Sequence, residues 1–440
     1  MAIDYISAIQ ESVKAEKLSK SKQRRREVEE LLNFYTGTNT EHYIEGFFSP
    51  DIYSDIPIYK MNITRKFIDK MSRVYVPKAI RKFSGQENPL YSSLTPNKNV
   101  RMKHVERMTN LLGTPALRIV LDNDDWDNPV FDYQLVYYFD AFFDEFNPYE
   151  PRAIIYPVLN PTYDVSYSRN KLEWDYWDDD MHVRYDEDGN IIFEEANPYG
   201  IMPFVFPRDM EQIDDFINEG ATDIANVNKH INITMTNLQL GLHYQMVGQP
   251  YATGVYADEP IKRVGPDYII NVPEGGTFGI ASPQGDLRGV IETIKFQLEM
   301  LAQSRHMSIS FDSNQDRPSS GIALIIKDFE HLTDYEDDME RYRQLEHDIF
   351  KIEKAIASVN NVNLKDNFEI EFGEVEYPKT TQETISKEEY ELDKGFVTEE
   401  ELLQKRRKDI TIKQAEKIIQ KNLENKEQPI QQIEEEPDNG

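Results

Sequence analysis

The sequence contains no cysteine among its 440 residues. This absence excludes disulfide bonds, thiolate nucleophiles and cysteine-ligated metal sites together. The chain also lacks a run of ~18 consecutive apolar residues, the length that a membrane-spanning helix requires. Its first residues include the acidic Asp4 and have no apolar segment of the kind found in secretory signals. We therefore expect synthesis in a reducing cytoplasm, with neither a secretory signal nor a membrane span.

Sequence motifs of the common enzyme classes are missing as well. The chain has no phosphate-binding loop ending in Gly-Lys-Ser or Gly-Lys-Thr, and no glycine-rich dinucleotide-binding motif. It also lacks the His-Glu-x-x-His motif of zinc proteases and the Gly-x-Ser-x-Gly motif of serine hydrolases. Its 8 histidines show no metal-ligand spacing. From these absences we predict a protein without catalytic residues, without a cofactor and without a bound metal ion.

Two acidic stretches leave an enzymatic alternative open. Asp175, Asp178, Asp179 and Asp180 could bind a divalent ion, as in a nuclease or another hydrolase. We favour a different interpretation, in which they form a charged hairpin edge that resists the addition of further strands. Residues 186–190 begin like a calcium-binding loop but lack the rest of that pattern, and their Asp-Gly pair is typical of a hairpin turn.

The chain is strongly acidic, with a formal net charge of −30. Proteins that wrap nucleic acid tightly are usually basic, so most of this surface should repel a phosphate backbone. Solubility alone explains such a charge as well as a surface that DNA must pass without sticking. The densest basic cluster, residues 22–26, is interpreted as a solvated helix face, with a partner or phosphate contact as the alternative.

The first half of the chain changes from helical to strand-like patterns. Amphipathic periodicity predicts helices over residues 4–36, 60–76 and 103–112. Gly37 and Gly113 are expected to end the first and the third of them. From Ala116 to Val205 the pattern becomes period-two and rich in aromatic residues, which predicts strands joined mainly in antiparallel pairs.

The second half alternates long helices with short modules. The predicted elements are a helix over 212–246, a small β module over 247–286, a helix over 287–306, a polar stretch over 308–320, a long helix over 321–359, a strand over 368–377, and helices over 381–394 and 398–424. Each long helix has one apolar seam. In the first of them, Asn226, Asn228, Asn232 and Asn237 lie beside that seam. The Gln/Glu/Pro-rich tail from Lys426 is expected to be disordered.

Several segments, taken in order, resemble the portal proteins of tailed bacteriophages. They are Asn197–Val205 (Asn-Pro-Tyr-Gly-Ile-Met-Pro-Phe-Val) after a strand that contains Trp174, Gly248–Gly254 (Gly-Gln-Pro-Tyr-Ala-Thr-Gly), Ser320–Leu324 (Ser-Gly-Ile-Ala-Leu), and Glu391–Thr398 (Glu-Leu-Asp-Lys-Gly-Phe-Val-Thr) followed by Arg406, Arg407 and Ala415–Ile418. No single motif is specific to that family. Their order and spacing carry the resemblance, which covers roughly residues 30–425.

The resemblance implies an α+β portal fold and a ring oligomer, usually a dodecamer. Its parts would be a mixed α/β wing, a long helical stem, a small β clip and a helical crown. The implied assignments are wing 1–210, first stem helix 211–246, clip 247–286, second stem helix 287–307, tunnel loop 308–320, long helix to the crown 321–360, returning wing strand 361–380, crown helices 381–425 and disordered tail 426–440.

The same resemblance implies a function in the virion after assembly in the host cytoplasm. The ring would form a channel at one capsid vertex, through which double-stranded DNA is packaged and ejected. It would contact the major capsid protein and serve as the docking platform for the terminase and then for the tail adaptor. No membrane takes part, and the packaging energy would come from the terminase. Another ring of the virion, such as an adaptor or minor head protein, is the alternative.

The resemblance also points to candidate contact residues. Asn314, Gln315, Asp316 and Arg317 of the tunnel loop would touch the DNA. Lys262 and Arg263 of the clip would contact the adaptor or a phosphate, although a plain solvated pair explains them equally well. A channel lined by acidic and amide groups would let the duplex slide, because it offers no lasting phosphate contact.

Overall fold

The computed structural model of the protein describes most of the chain. The described ranges are residues 5–16, 19–38, 40–48, 58–122, 129–144, 146–159, 172–186, 188–211, 215–247, 249–253, 275–281, 285–307, 329–373, 388–407 and 411–427. The chain divides into two compact units. The first contains Met1–Phe311 and Phe329–Val375, and the second contains Asp312–Asp328 and Glu376–Gly440. Helices and four small sheets among the described residues confirm the α+β class.

The described residues before the first long strands form six helices. They are α1 (Tyr5–Glu16), α2 (Ser19–Thr36), α3 (Thr40–Glu45), α4 (Ile63–Met71), α5 (Pro89–Leu94) and α6 (Lys98–Leu112). Gly37 and Gly113 follow α2 and α6 with φ of 79°, so both predicted helix ends are confirmed. The predicted helix over 60–76 is shorter. Asn62 caps its start, and it ends at Ser72, whose backbone is extended at φ −78° and ψ 94° and whose hydroxyl donates to the carbonyl of Ile68.

All strand pairs of the described residues are antiparallel, as predicted. A five-stranded sheet has the order β4 (Asp140–Asp144), β5 (Asn147–Leu159), β6 (Leu172–Asp178), β7 (Met181–Tyr185) and β8 (Ile191–Ala196). A second sheet has the order β3 (Val130–Val136), β2 (Ala116–Asp122) and β9 (Phe204–Val205). β1 (Ile80–Phe83) pairs with β12 (Phe368–Glu371), and β10 (Gln249–Thr253) pairs with β11 (Thr277–Ala281).

The five-stranded sheet buries both of its faces along its inner strands. Trp174 and Tyr176 of β6 point to one face, where Ala8 and Ile9 of α1 complete the core. Trp177 points to the opposite face, where it packs with the core around Phe204 and Phe216. Neighbouring residues of a strand face opposite sides, so the aromatic run of β6 supplies two cores at once.

Three long helices follow, α7 (Thr222–Val247), α8 (Leu287–Ser304) and α9 (Phe329–Val359). The predicted start of α7 at residue 212 is wrong. The helix begins at Thr222, and residues 215–221 are not helical. There the chain lies against the end of α6. Ala221 N–H donates to the carbonyl of Leu111 at 2.8 Å, and a Cβ on Gly220 would lie 2.5 Å from that oxygen. This contact delays the start of α7.

The apolar seam of α9 fills the largest core of the first unit. Ile349 and Ile356 are fully buried there, beside Phe83 of β1 and Phe368 of β12. The rings of Phe350 and Phe368 stack with their centroids 4.6 Å apart. The seam predicted for this helix is therefore confirmed over its described side chains, and the strand predicted over 368–377 is described as Phe368–Glu371.

The second unit is helical in its described residues. These residues form a turn of helix over 388–393, α10 (Glu399–Arg406) and α11 (Ile412–Glu427). Thr398 and Glu401 form a capping box at the start of α10. The single helix predicted over 398–424 is therefore two helices, because Arg407 leaves the helical conformation at φ −122° and ψ 88°.

No helix in the described part of the chain combines the length and the hydropathy needed to cross a membrane.

Candidate functional site

The helices α7 and α8 form an antiparallel hairpin with the β10–β11 pair at its turn. At one end, Arg305 after α8 pairs with Asp223 at the start of α7, at 2.6 Å. At the other end, the Gln245 side-chain amide of α7 donates to the carbonyl of Gly285 just before α8, at 3.0 Å. These two contacts join opposite ends of the two helices, so the helices run in opposite directions along each other.

Polar side chains of α7 fix its first half to the chain before α4. Asn228 and Asn232 accept the N–H groups of Ile63 and Met61 at 3.2 and 2.8 Å, and Thr236 accepts that of Tyr59 at 3.3 Å. Four residues of a helix rise ~6 Å and two residues of extended chain advance ~6.6 Å, so the spacings match. The side chains of Asn228, Asn232 and Thr236 therefore satisfy backbone groups that burial would otherwise leave without partners.

The four asparagines beside the apolar seam of α7 fall into two pairs. Asn228 and Asn232 are buried and bonded to other parts of the same chain. Asn226 and Asn237, the other two asparagines beside the seam, are exposed. The sequence alone could not separate the two pairs, because all four asparagines lie beside the apolar seam of α7.

The α7–α8 hairpin and its β10–β11 pair leave large apolar side chains exposed. Ile294, Leu301 and Ala302 of α8 are buried in the core shared with α7, as the predicted seam required. The remaining surface of the hairpin and its β pair carries exposed apolar side chains, which we call the hairpin apolar set: Leu242, Met246, Tyr251, Phe278, Ile280, Ile291, Phe296 and Met300. Met246 is 84% exposed and Phe296 is 61% exposed. Where exposed apolar side chains form a contiguous patch, they usually mark an interaction surface.

The ends of α8 and α9 meet although the chain between them is long. His306 Nδ1 lies 2.7 Å from Asp334 Oδ2, and Met307 is buried in the core beneath α8. The intervening residues 308–328, which include the predicted tunnel loop, lie outside the described residues. So do all six predicted contact residues, Asn314, Gln315, Asp316, Arg317, Lys262 and Arg263.

The acidic run between residues 175 and 180 does not lie at a sheet edge, and that prediction is wrong. β6 lies between β5 and β7 in the sheet. Asp175 is fully buried and binds Arg184 Nε at 2.7 Å. Burial opposes its ionisation, but the nearby His182, 3.6 Å away, and the two hydrogen bonds from Arg184 outweigh that effect and lower the pKa of Asp175 to about 2.

The next two aspartates, Asp178 and Asp179, stabilise two different turns. Asp178 Oδ1 accepts the N–H of Met181 at 2.5 Å, which closes the β6–β7 hairpin. Asp179 accepts the N–H of Met202 at 2.8 Å, and the Asn197 side chain donates to the carbonyl of Asp178. The Asp179 carboxylate and the main-chain carbonyl of Asp178 therefore hold the Asn197–Val205 segment in place, whereas the Asp178 carboxylate belongs to the β6–β7 turn. Among the described residues, no group of three or more histidines or carboxylates is placed to hold a metal ion.

The basic cluster near residue 24 is only partly a solvated face. Arg24 donates to the carbonyl of Phe139 at 2.8 Å and pairs with Asp140 at 2.5 Å. It therefore ties α2 to the start of β4. Arg25 lies 3.4 Å from Glu29 of the same helix, and Arg26 is exposed, as a solvated face requires.

A buried set of four charges joins α9 to β1 and α6, and no sequence motif indicates it. Lys98 Nζ lies 2.7 Å from Glu353 and 3.2 Å from Glu346, and Arg81 bonds both carboxylate oxygens of Glu346. All four residues are buried, and their formal charges cancel. We call them the charge network. Its only sequence signal is a pair of glutamates seven residues apart beside the apolar seam of α9.

Three tyrosines complete the charge network. Tyr75 donates to Glu346 at 3.0 Å, while Tyr91 and Tyr133 donate to Glu353. Burial opposes the ionisation of Glu346, but Arg81 and Lys98 outweigh it and hold the pKa of this carboxyl at about 2. Burial and the adjacent glutamates raise the pKa of all three tyrosines well above the usual value, so each remains a hydrogen-bond donor.

No protein-family model matches the chain, and a search of curated proteins found no match either.

Proposed function

We propose that the chain is the ring-forming subunit of a tailed-phage portal, which provides the channel for packaging and ejecting double-stranded DNA. The observation that carries this proposal is the hairpin apolar set on α7, α8 and the β10–β11 pair. A chain with a net charge of −30 gains nothing in solubility from eight exposed apolar side chains on these two helices and two strands. Contacts with neighbouring copies around a closed ring would cover them.

The order of the elements supports the same proposal. A helix, a small antiparallel β pair, an antiparallel partner helix and a long helix follow one another, as the resemblance requires. In this proposal α7 and α8 are the stem, and β10–β11 belongs to the clip. The His306–Asp334 contact, which brings the end of α8 to α9, supports assigning the segment between these helices to the tunnel loop. The five-stranded sheet and the α9 core belong to the wing, and α10 and α11 to the crown.

The proposed portal has no catalytic residues of its own. It would stand at one vertex of the virion capsid as a ring of about twelve subunits, by resemblance to the family. Terminase would dock during packaging and supply the energy, and the tail adaptor would dock afterwards. Asn314, Gln315, Asp316 and Arg317 would touch the DNA, and Lys262 and Arg263 the adaptor.

Electron microscopy of the purified full chain tests the ring, together with its molar mass by light scattering. We expect rings with a wide brim and a narrow stem. Phe296→Glu combined with Met300→Glu should give monomers, because charges would replace apolar contacts between copies. Val100→Glu is the control, since Val100 is even more exposed, at 73%, but lies on α6. A wild-type chain that stays monomeric at tens of micromolar would refute the proposal.

A deletion tests the DNA channel separately from the ring. Removal of residues 312–318 should leave rings intact and impair DNA packaging or retention in particles. Rings that lack this segment and still package and hold DNA normally would contradict the tunnel-loop assignment.

A further inference from the structure

The outermost strand of the five-stranded sheet is open on one side. β8 pairs with β7, from Met181 opposite Ala196 to Arg184 opposite Phe193, and has no second neighbour in the described part of the chain. All six of its residues are exposed. β4, at the other end of the same sheet, is half-buried along its length, and Arg24 covers its start. β8 is therefore the edge at which the sheet could be extended.

Apolar side chains cover both faces of β8 at its first half. Ile191, Ile192 and Phe193 are exposed by 45%, 54% and 42%. Consecutive residues of a strand point to opposite faces, so neither face of the edge is protected. Proteins usually guard a free edge with lysine, proline or a covering loop, because an apolar free edge pairs with other chains. Residues 190–193 contain neither lysine nor proline, and the protective feature found here is the register shift opposite Arg184 and Tyr185.

The second half of β8 determines which kind of strand fits. Glu194 and Glu195 are exposed and acidic, Glu195 also contacts His182 Nδ1 at 3.0 Å, and Asp186 and Asp188 lie in the adjoining hairpin turn. Antiparallel pairing of two β8 strands from two copies would bring four glutamates into one short ladder, which costs free energy. The β4 edge of a second copy carries Asp140 and Asp144, so it offers no complement either.

We propose that β8 docks an extended segment of another protein, which adds to the sheet as an antiparallel strand. The segment carries lysine or arginine opposite Glu194 and Glu195 and small apolar residues opposite Ile191 and Phe193. Main-chain hydrogen bonds supply affinity, and the alternating side chains of the guest strand cover both exposed faces. This docking site is independent of the proposed portal function, because it includes no residue of the α7–α8 hairpin or of the β10–β11 pair.

Binding of a labelled octapeptide to the full chain tests the proposal. The probe is Thr-Lys-Lys-Val-Thr-Val-Thr-Gly, and its control has glutamate in place of both lysines. Fluorescence anisotropy should show that the lysine peptide binds at least about tenfold more tightly, and that added salt reduces the difference. Equal affinity of the two peptides overturns the proposal.

Variants of the edge identify the binding strand. Ile192→Thr combined with Phe193→Thr keeps residues that favour strands and should weaken binding of the lysine peptide about tenfold. Phe146→Thr is the matched control, because Phe146 is 90% exposed at another hairpin of the same sheet. Circular dichroism verifies that both variants fold. Unchanged binding to the β8 variant overturns the proposal.

Backbone methylation separates strand addition from simple side-chain contact. Two versions of the lysine peptide carry N-methyl groups on alternate residues, in opposite frames. A docked strand turns alternate N–H groups toward β8, so one version should lose binding and the other should keep it. Equal behaviour of the two versions overturns strand addition. Self-association that disappears in the β8 variant, without peptide binding, would assign the edge to a second copy and overturn the proposal as well.

Discussion

Replacement of Lys98 by methionine should destabilise the first unit severely. Lys98 is the only cation of the charge network that bonds Glu353, and its Nζ lies 2.7 Å from that carboxylate. Methionine keeps the length and the apolar stem but removes the charge. Glu353 would then be a buried carboxylate with only the hydroxyls of Tyr91 and Tyr133 as partners. Removal of one partner from a buried ion pair costs about 3–5 kcal/mol, out of a total stability of about 5–15 kcal/mol for a domain.

Restoring the charge balance should recover much of that loss. Glu353→Gln alone leaves Lys98 with Glu346, which already binds Arg81. In the double variant Lys98→Met/Glu353→Gln, one cation and one anion remain, Arg81 and Glu346. We expect the double variant to cost at least about 1 kcal/mol less than the sum of the two single variants, since contacting residues are coupled.

Urea unfolding measures these costs. Far-UV circular dichroism and the fluorescence of the buried Trp174 and Trp177 report on the first unit. Lys351→Met is the control on the same helix, because Lys351 pairs with Asp348 at the surface, where an ion pair contributes only about 0–1 kcal/mol. The reasoning is refuted if Lys98→Met costs no more than Lys351→Met, or if the double variant costs the full sum of the single variants.

Two further predictions concern other buried groups. Asn232→Ala should lower the free energy of unfolding by about 2–3 kcal/mol, because the N–H and carbonyl of Met61 both lose their partner, whereas the exposed Asn237→Ala should change it by less than about 0.5 kcal/mol in the same urea titration. Burial raises the pKa of Glu106 to about 7, although the N–H groups of Val74 and Tyr75 oppose the shift. Between about pH 5 and 7 the folded state keeps the Glu106 proton, whereas the unfolded state has released it. The free energy of unfolding should therefore fall by roughly 1 kcal/mol for each pH unit as the pH rises through this range. Glu106→Gln should flatten that dependence, and a wild-type profile as flat as that of the variant would contradict it.

Sequence patterns predicted the parts of the fold that local periodicity encodes. The β2 strand, the three strands from Leu172 to Ala196, the hairpin turn at Gly189 and the apolar seams of α8 and α9 lie where the patterns placed them. Each of these signals depends on residues within one element. The late start of α7 was missed because its cause, the contact of Gly220 and Ala221 with Leu111, joins two distant parts of the chain.

The candidate sites show the same division. Composition identified an acidic chain without enzyme motifs, and the order of segments pointed to a ring-forming family. Neither composition nor segment order could show that Asp178 and Asp179 stabilise turns, or that β8 is an edge strand of its sheet.

The sequence by itself determined which segments become helices and strands, because the alternation of apolar and polar residues depends on near neighbours. Only the tertiary structure decided which polar residues are buried. Lys98 and Glu353 are 255 positions apart, and Asn232 meets Met61 across 171 positions. Whether such residues are solvated or buried depends on the partner that folding brings to them, since a buried charge or amide is tolerated only when it is paired.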